Sequence, residues 1–180
     1  EFVPDLHYVL FHVQPMISLF LMDEAKKNLK TKMELDKLQQ RNEKSARRLL
    51  EDLKAEMVQA GIDSERIETA TRQRRIGLAK DILEYSQENR YDAIVIGRRG
   101  LTRLQEMVMG SASANIIEHS QVVPVWLVDG DVAGKKLMVA VDGSEASLRA
   151  IDHVSFMLSG KPDVSLTLFH VASGARDYCE

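Results

Sequence analysis

The sequence predicts an α/β protein built on a parallel, doubly wound sheet, and three observations carry that expectation. Short runs rich in β-branched and apolar residues alternate with longer segments of helical periodicity. The run Ala93-Ile94-Val95-Ile96 is apolar throughout, as in a strand covered on both faces, and ends at Gly97. The hexapeptide Tyr8-Val9-Leu10-Phe11-His12-Val13 returns as Leu166-Thr167-Leu168-Phe169-His170-Val171, with four consecutive residues identical. Parallel strands joined by helices require crossover connections, which are right-handed.

The elements follow in order. Leu6 to Val13 reads as a buried strand, closed by Pro15. From about Asp23 to Ala60 a long helix is predicted, because Leu29, Met33, Leu38, Ala46, Leu49, Leu50, Leu53 and Met57 recur near helical spacing among charged residues. Gly61 ends it. A weak strand over Arg66 to Thr71 precedes a second helix from about Gly77 to Asn89, carrying Leu78, Ile82 and Leu83. The strand ending at Gly97 comes next, then a short helix over Ala112 to His119, then an apolar strand over Val122 to Val128. Between Gly97 and that helix, Leu101, Leu104 and Val108 have the spacing of a helical turn packed on the sheet.

Composition narrows the class. The chain has 180 residues, 44% hydrophobic and 28% charged, with a formal charge of −3. A balance so slightly acidic gives no general attraction to nucleic acid or to an anionic membrane, and both are discounted as partners. The single cysteine, Cys179, cannot bridge within the chain, and no signal-peptide pattern or membrane-length apolar run is present. A cytoplasmic location is therefore expected.

The feature that says most about chemistry is Gly97-x2-Gly100-x9-Gly110-Ser111, placed directly after a strand. Glycines at a strand end let a ligand approach the backbone, and the helix that follows offers free N–H groups and the positive end of its dipole to an anion. Ser111 can bond a phosphate oxygen or cap the helix. Arg98, Arg99 and Arg103 lie in the same stretch, and Arg99, between the two glycines, is the best placed to answer phosphate charge. The same spacing also suits an ordinary strand-to-loop turn followed by a capped helix, and spacing alone does not separate the two readings. A Walker P-loop, a dinucleotide Gly-x-Gly-x-x-Gly and a Gly-x-Ser-x-Gly elbow are absent, and His7, His119 and His153 share no metal-ligand spacing.

Taken with Tyr91-Asp92-Ala93-Ile94-Val95-Ile96-Gly97-Arg98-Arg99-Gly100-Leu101, Met109-Gly110-Ser111 and Val123-Pro124-Val125-Trp126-Leu127-Val128, the chain closely resembles the universal stress protein family. The resemblance implies a Rossmann-like sheet of strand order 3-2-1-4-5, with the glycine-bearing strand as the fourth. It also implies an ATP site, in which Gly97, Gly100, Gly110 and Ser111 hold ribose and phosphates, Val13 or Val171 borders adenine, and Mg²⁺ accompanies the nucleotide. In this frame the chain begins at strand two, so the first strand and helix of the first repeat are absent.

Lys136-Leu137-Met138-Val139-Ala140-Val141-Asp142-Gly143-Ser144 stands ahead of the second hexapeptide and looks like strand one and the helix start of a second such domain. Two segments are thus expected, residues 1–130 and 131–180, as a tandem repeat cut in both copies or as a permuted arrangement in which the tail completes the head. Asp142 corresponds to a family aspartate that contacts the nucleotide, and its carboxylate can accept from adenine or ribose. Asp142-Gly143-Ser144 also suits a turn with a capped helix start, and the two roles are compatible. If the second segment filled the strand-one position of its own chain, residues 129–135 would run back about 20 Å and across about two strand spacings, about 22 Å in all. Seven extended residues reach about 23 Å. That path is taut, which favours a homodimer with exchanged segments, or a separate second unit.

The expected function is that of an ATP-binding stress protein in which the nucleotide is a bound signal rather than a substrate, since no group positions a water for attack. The alternatives are an interaction module of the same fold that binds no nucleotide, and a slow nucleotide hydrolase.

Overall fold

The computed structural model describes residues 6–97, 111–130 and 134–171. His7–Asp129 forms one compact unit, and the described part of Gly130–Glu180 belongs to a second.

In the first unit, β1 (Tyr8–Gln14) is followed by α1 (Leu19–Lys27), α2 (Leu29–Gln59), β2 (Ile67–Gln73), α3 (Leu78–Glu88), β3 (Ile94–Gly97), α4 (Ser111–His119) and β4 (Val125–Val128). β1 and β2 pair in parallel from Tyr8↔Ile67 to Gln14↔Gln73. β3 and β4 pair in parallel from Ile94↔Val125 to Gly97↔Val128. α2 packs on both β1 and β2. α3 reaches β1 through Tyr85, whose ring stacks on Phe11 with centroids 4.0 Å apart, while Arg72 of β2 lies over the same ring at 5.1 Å. The other flank of α3 joins a buried cluster of Leu83, Ile94, Ile116 and Val123, which also ties in α4 and β4.

The long helix of the sequence reading is two helices. Asn28 is extended, with φ −132° and ψ 119°, and its side chain accepts from the Lys30 amide, which ends α1 and caps α2. α1 begins at Leu19 and folds against α2 around Ile17, Ala25 and Leu35. Leu35 therefore enters the core, whereas Leu29, Met33, Leu49 and Leu53 are exposed. The last strand starts at Val125 rather than Val122, because Pro124 has no N–H for the ladder and contributes only its carbonyl, which accepts from the Ile94 amide at 2.8 Å.

In the second unit, β5 (Lys136–Val141), α5 (Glu145–Leu158) and β6 (Ser165–His170) form a strand–helix–strand crossover. β5 and β6 are parallel from Lys136↔Ser165 to Val141↔His170. α5 packs on β5, with Val139 and Met157 buried, and β6 is exposed along its whole length. The α/β fold with parallel strands is as expected. Among the described residues the strands form three separate two-stranded ladders, β1–β2, β3–β4 and β5–β6, and not the single sheet of order 3-2-1-4-5 that was expected.

Asp81, in α3, is fully buried and accepts from the amides of Arg75 at 3.0 Å and Ile76 at 3.3 Å. It fixes the chain entering α3 and thus the seat of that helix on both ladders. Asp81→Ala leaves the Arg75 and Ile76 amides without this acceptor and is expected to cost about 2 kcal/mol, on the order of lost hydrogen bonds to a charged group. Urea denaturation of the variant beside the parent chain measures it.

Candidate functional site

β3 delivers Gly97 to the carboxyl end of its ladder, opposite Val128 of β4. Carboxyl ends of parallel strands are where ligands of doubly wound sheets bind. The carbonyl of Gly97 accepts a hydrogen bond from the Ser113 hydroxyl at 3.0 Å. Ser113 is buried in the first turn of α4, so this bond moors the helix start to the strand end. Ser111, the first residue of α4, is exposed, and the first turn contains no acidic side chain. The first-turn amides and the positive dipole end of α4, a turn without an acidic side chain, are thus set beside a strand-end glycine.

A cleft of about 810 Å³ runs between α3 and α4. Ser111 and Asn115 line one side, and Arg74, Gly77 and Lys80 line the other. Both cations are exposed and lie at the start of α3, and Glu84, one turn further along that helix, lines the same cleft. This set fits a polyanionic ligand such as a nucleotide phosphate chain, bound through helix amides, serine hydroxyls and cations.

Val13 is buried one residue before the end of β1, paired with Arg72. At the same ladder end, Gln14 Nε2 donates to Thr71 Oγ1 at 3.2 Å, and Thr71 Oγ1 donates to the His12 carbonyl at 3.0 Å. These bonds fix the β1–β2 end that carries Val13.

Asp142 follows β5 in the second unit and is exposed. Its carboxylate accepts from the Ser144 amide at 2.9 Å, and Ser144 in turn caps α5 by accepting from the Ser147 amide at 3.2 Å. The turn-and-cap arrangement is therefore present. Hydrogen bonds from Ser144, then Ser147, hold the Asp142 carboxyl down at about 2.

Of the site residues expected from sequence, Gly97 and Ser111 belong to one strand-to-helix connection and Val13 lies near the end of a second ladder in the same unit. Arg99, Gly100 and Gly110 lie outside the described residues, as does the helical turn expected over Leu101 to Val108. Sequence reasoning missed Ser113, Thr71, Lys80 and Arg74. Ser113 had a faint signal, as a second hydroxyl in the first turn of a helix that follows a glycine pair. Among the described residues no three His, Cys, Asp or Glu side chains are grouped to hold a metal ion, and no helix is long and apolar enough to cross a membrane.

A parallel α/β unit whose strand-end glycine is moored to the start of a helix has the architecture of the doubly wound ligand-binding folds. The profile of the Universal stress protein family matches residues 4–129, and the chain belongs to that family. It is also similar to the solved structure of the hypothetical protein MJ0577, described as a test case of structural genomics, with 21% sequence identity and a TM-score of 0.50 over 71% of this chain and 78% of that one. At that identity the likeness concerns the fold. A comparison with curated proteins finds no match.

The Asp142 carboxyl has a native pKa below its ordinary 3.8, so its contribution to holding the start of α5 is present above about pH 4 and is lost as pH falls through about 2. Carbon-detected NMR titration is expected to place this carboxyl near 2. Ser147→Ala, which removes one donor to the turn, is expected to move it upward.

Proposed function

We propose that the chain binds ATP with Mg²⁺ at the carboxyl end of β3, as a cytoplasmic stress-response protein for which the nucleotide is a bound signal. The observation that carries this reading is the Ser113–Gly97 bond, which presents the first turn of α4 to a ligand at the glycine-bearing strand end. In this assignment Gly97, Gly100, Gly110 and Ser111 hold ribose and phosphates, Arg99 answers phosphate charge and Val13 borders adenine. The turn amides of α4 and the cations Arg74 and Lys80 suit a phosphate chain, and the Mg²⁺ would travel with the nucleotide by screening its charge.

This chain's own residues bind and orient. Ser113 keeps the helix start in place, and the glycines leave room for close approach of the ligand to the backbone. Binding without turnover follows the sequence, in which no group is recognised that positions a water for attack. Occupancy then stabilises the unit in proportion to the logarithm of nucleotide concentration over its dissociation constant.

Calorimetric titration with Mg-ATP is expected to show micromolar binding, lost by at least tenfold in Gly110→Val, with phosphate release in excess ATP staying at the level of buffer. Absence of heat with the parent chain, at a concentration where its circular dichroism shows it folded, overturns the assignment. Release of phosphate above buffer overturns the signal reading in favour of a hydrolase.

A further inference from the structure

We infer that the hollow between α2 and the carboxyl end of the β1–β2 ladder binds a small, neutral, polyhydroxylated molecule, of the size and hydrogen-bonding character of a monosaccharide or cyclitol. This site goes beyond nucleotide binding, and every residue that lines it belongs to the continuous stretch 14–71 of the first unit.

Side chains along a strand alternate between its two faces. Phe11 of β1 meets Tyr85 of α3, so Gln14 is on the opposite face, the one turned to α2, together with Thr69 and Thr71 of β2. Near the amino end of the ladder this face is an ordinary core, where Ile67 is buried, and α2 buries Leu50 against it. Toward the carboxyl end the composition changes. Where a packed helix and sheet would meet through apolar side chains, the sequence places Thr69, Thr71 and Gln14 on the ladder and Glu43 and Arg47 on the helix. Polar residues at such positions weaken packing and are kept where they serve a function. They enclose about 330 Å³, within the range of small-molecule sites, and among the described residues Leu50 is the one apolar residue of the lining. Small-molecule pockets are ordinarily apolar with a few polar groups. Here that proportion is reversed, which calls for a ligand covered in hydroxyls.

The hydrogen bonds already made define what is left for a ligand. Thr71 Oγ1 accepts from Gln14 Nε2 at 3.2 Å and donates to the His12 carbonyl at 3.0 Å, which leaves the side-chain oxygen of Gln14 as an acceptor with no partner among the described residues. Glu43 Oε1 accepts from Nε and Nη2 of Arg47 at 3.0 and 2.7 Å, so the second carboxylate oxygen and the remaining guanidinium nitrogen keep their capacity. The Thr69 hydroxyl donates to Glu51 Oε1 at 3.5 Å, a long bond that a nearer acceptor would replace. Spare donors and spare acceptors thus face one hollow. A hydroxyl group, which both donates and accepts, answers either kind.

Charge selects among hydroxylated molecules. Glu43 and Arg47 cancel each other, and Glu51, bonded to Thr69, adds a negative charge beside the hollow. An anion such as a phosphorylated sugar is therefore disfavoured. An amino acid would need the guanidinium and the carboxylate apart, and they are bonded to one another. A neutral polyol leaves that pair intact, its hydroxyls take the places that water occupies in a hollow lined this way, and the C–H face of its ring has Leu50 to rest on.

The test uses no nucleotide, so it fails or succeeds separately from the ATP assignment. The full chain, isotope-labelled for NMR, is titrated with D-glucose and with myo-inositol, and inorganic phosphate is the charged comparison. Saturable shifts of the Thr69 and Thr71 amides and of the Gln14 side-chain amide with either polyol, and none with phosphate, support the site. Glu43 is exposed on its helix, so Glu43→Gln is expected to keep the circular dichroism of the parent while weakening polyol binding about tenfold, through loss of a charge-assisted hydrogen bond. A folded parent chain that shows no shift with either polyol overturns the proposal. Saturable polyol binding that Glu43→Gln leaves unchanged, or a response to phosphate alone, overturns it as well.

Discussion

A parallel strand has two polar edges, and burial leaves a free-energy cost on any edge without a partner. Each strand described in this chain has one edge in a parallel ladder, and the consequences of that constraint run through the molecule. The two ladders of the first unit are held by α3 rather than by each other. Its aromatic flank stacks on β1, its aliphatic flank packs on β3, and Asp81 fixes where it begins. Removing that helix would separate the ladder that carries Val13 from the ladder that carries Gly97. The candidate site is thus a product of packing between elements, not of the glycine motif alone.

Within that frame the chemistry is concentrated where β3 gives way to α4. The strand supplies a carbonyl, the helix a buried serine, and the bond between them sets the first turn of α4 at the end of the sheet. Charge follows the same direction, because the cleft beside Ser111 contains Arg74 and Lys80, and the first turn of α4 contains no carboxylate. These local features suit an anionic ligand at a strand end.

The parts of the fold legible in the sequence were those written in periodicity or in glycine. The apolar run before Gly97, the helix of Leu78, Ile82 and Leu83, and the helix following Ser111 all occur within a residue or two of where they were expected. What was not legible depends on one side chain finding a backbone group across space. Asn28 splits a continuous helical pattern by capping Lys30, a choice that helical spacing of apolar residues cannot register. Leu35 becomes core only because α1 turns back onto α2. Asp81 is one acid in a charged helix until its two amide partners are placed, and Ser113 is a small polar residue until Gly97 is above it. The division of the strands into separate ladders was equally hidden, since an apolar strand reads the same with one neighbour as with two.

The central claim is that the connection from Gly97 to the first turn of α4 is the ligand-facing part of this protein. Hydrogen exchange followed by mass spectrometry, with and without Mg-ATP, tests it most directly. The account predicts that the nucleotide slows exchange in peptides covering residues 97–114 more than in peptides of α2. Equal exchange with and without nucleotide, or protection confined to peptides outside 97–114, would contradict it.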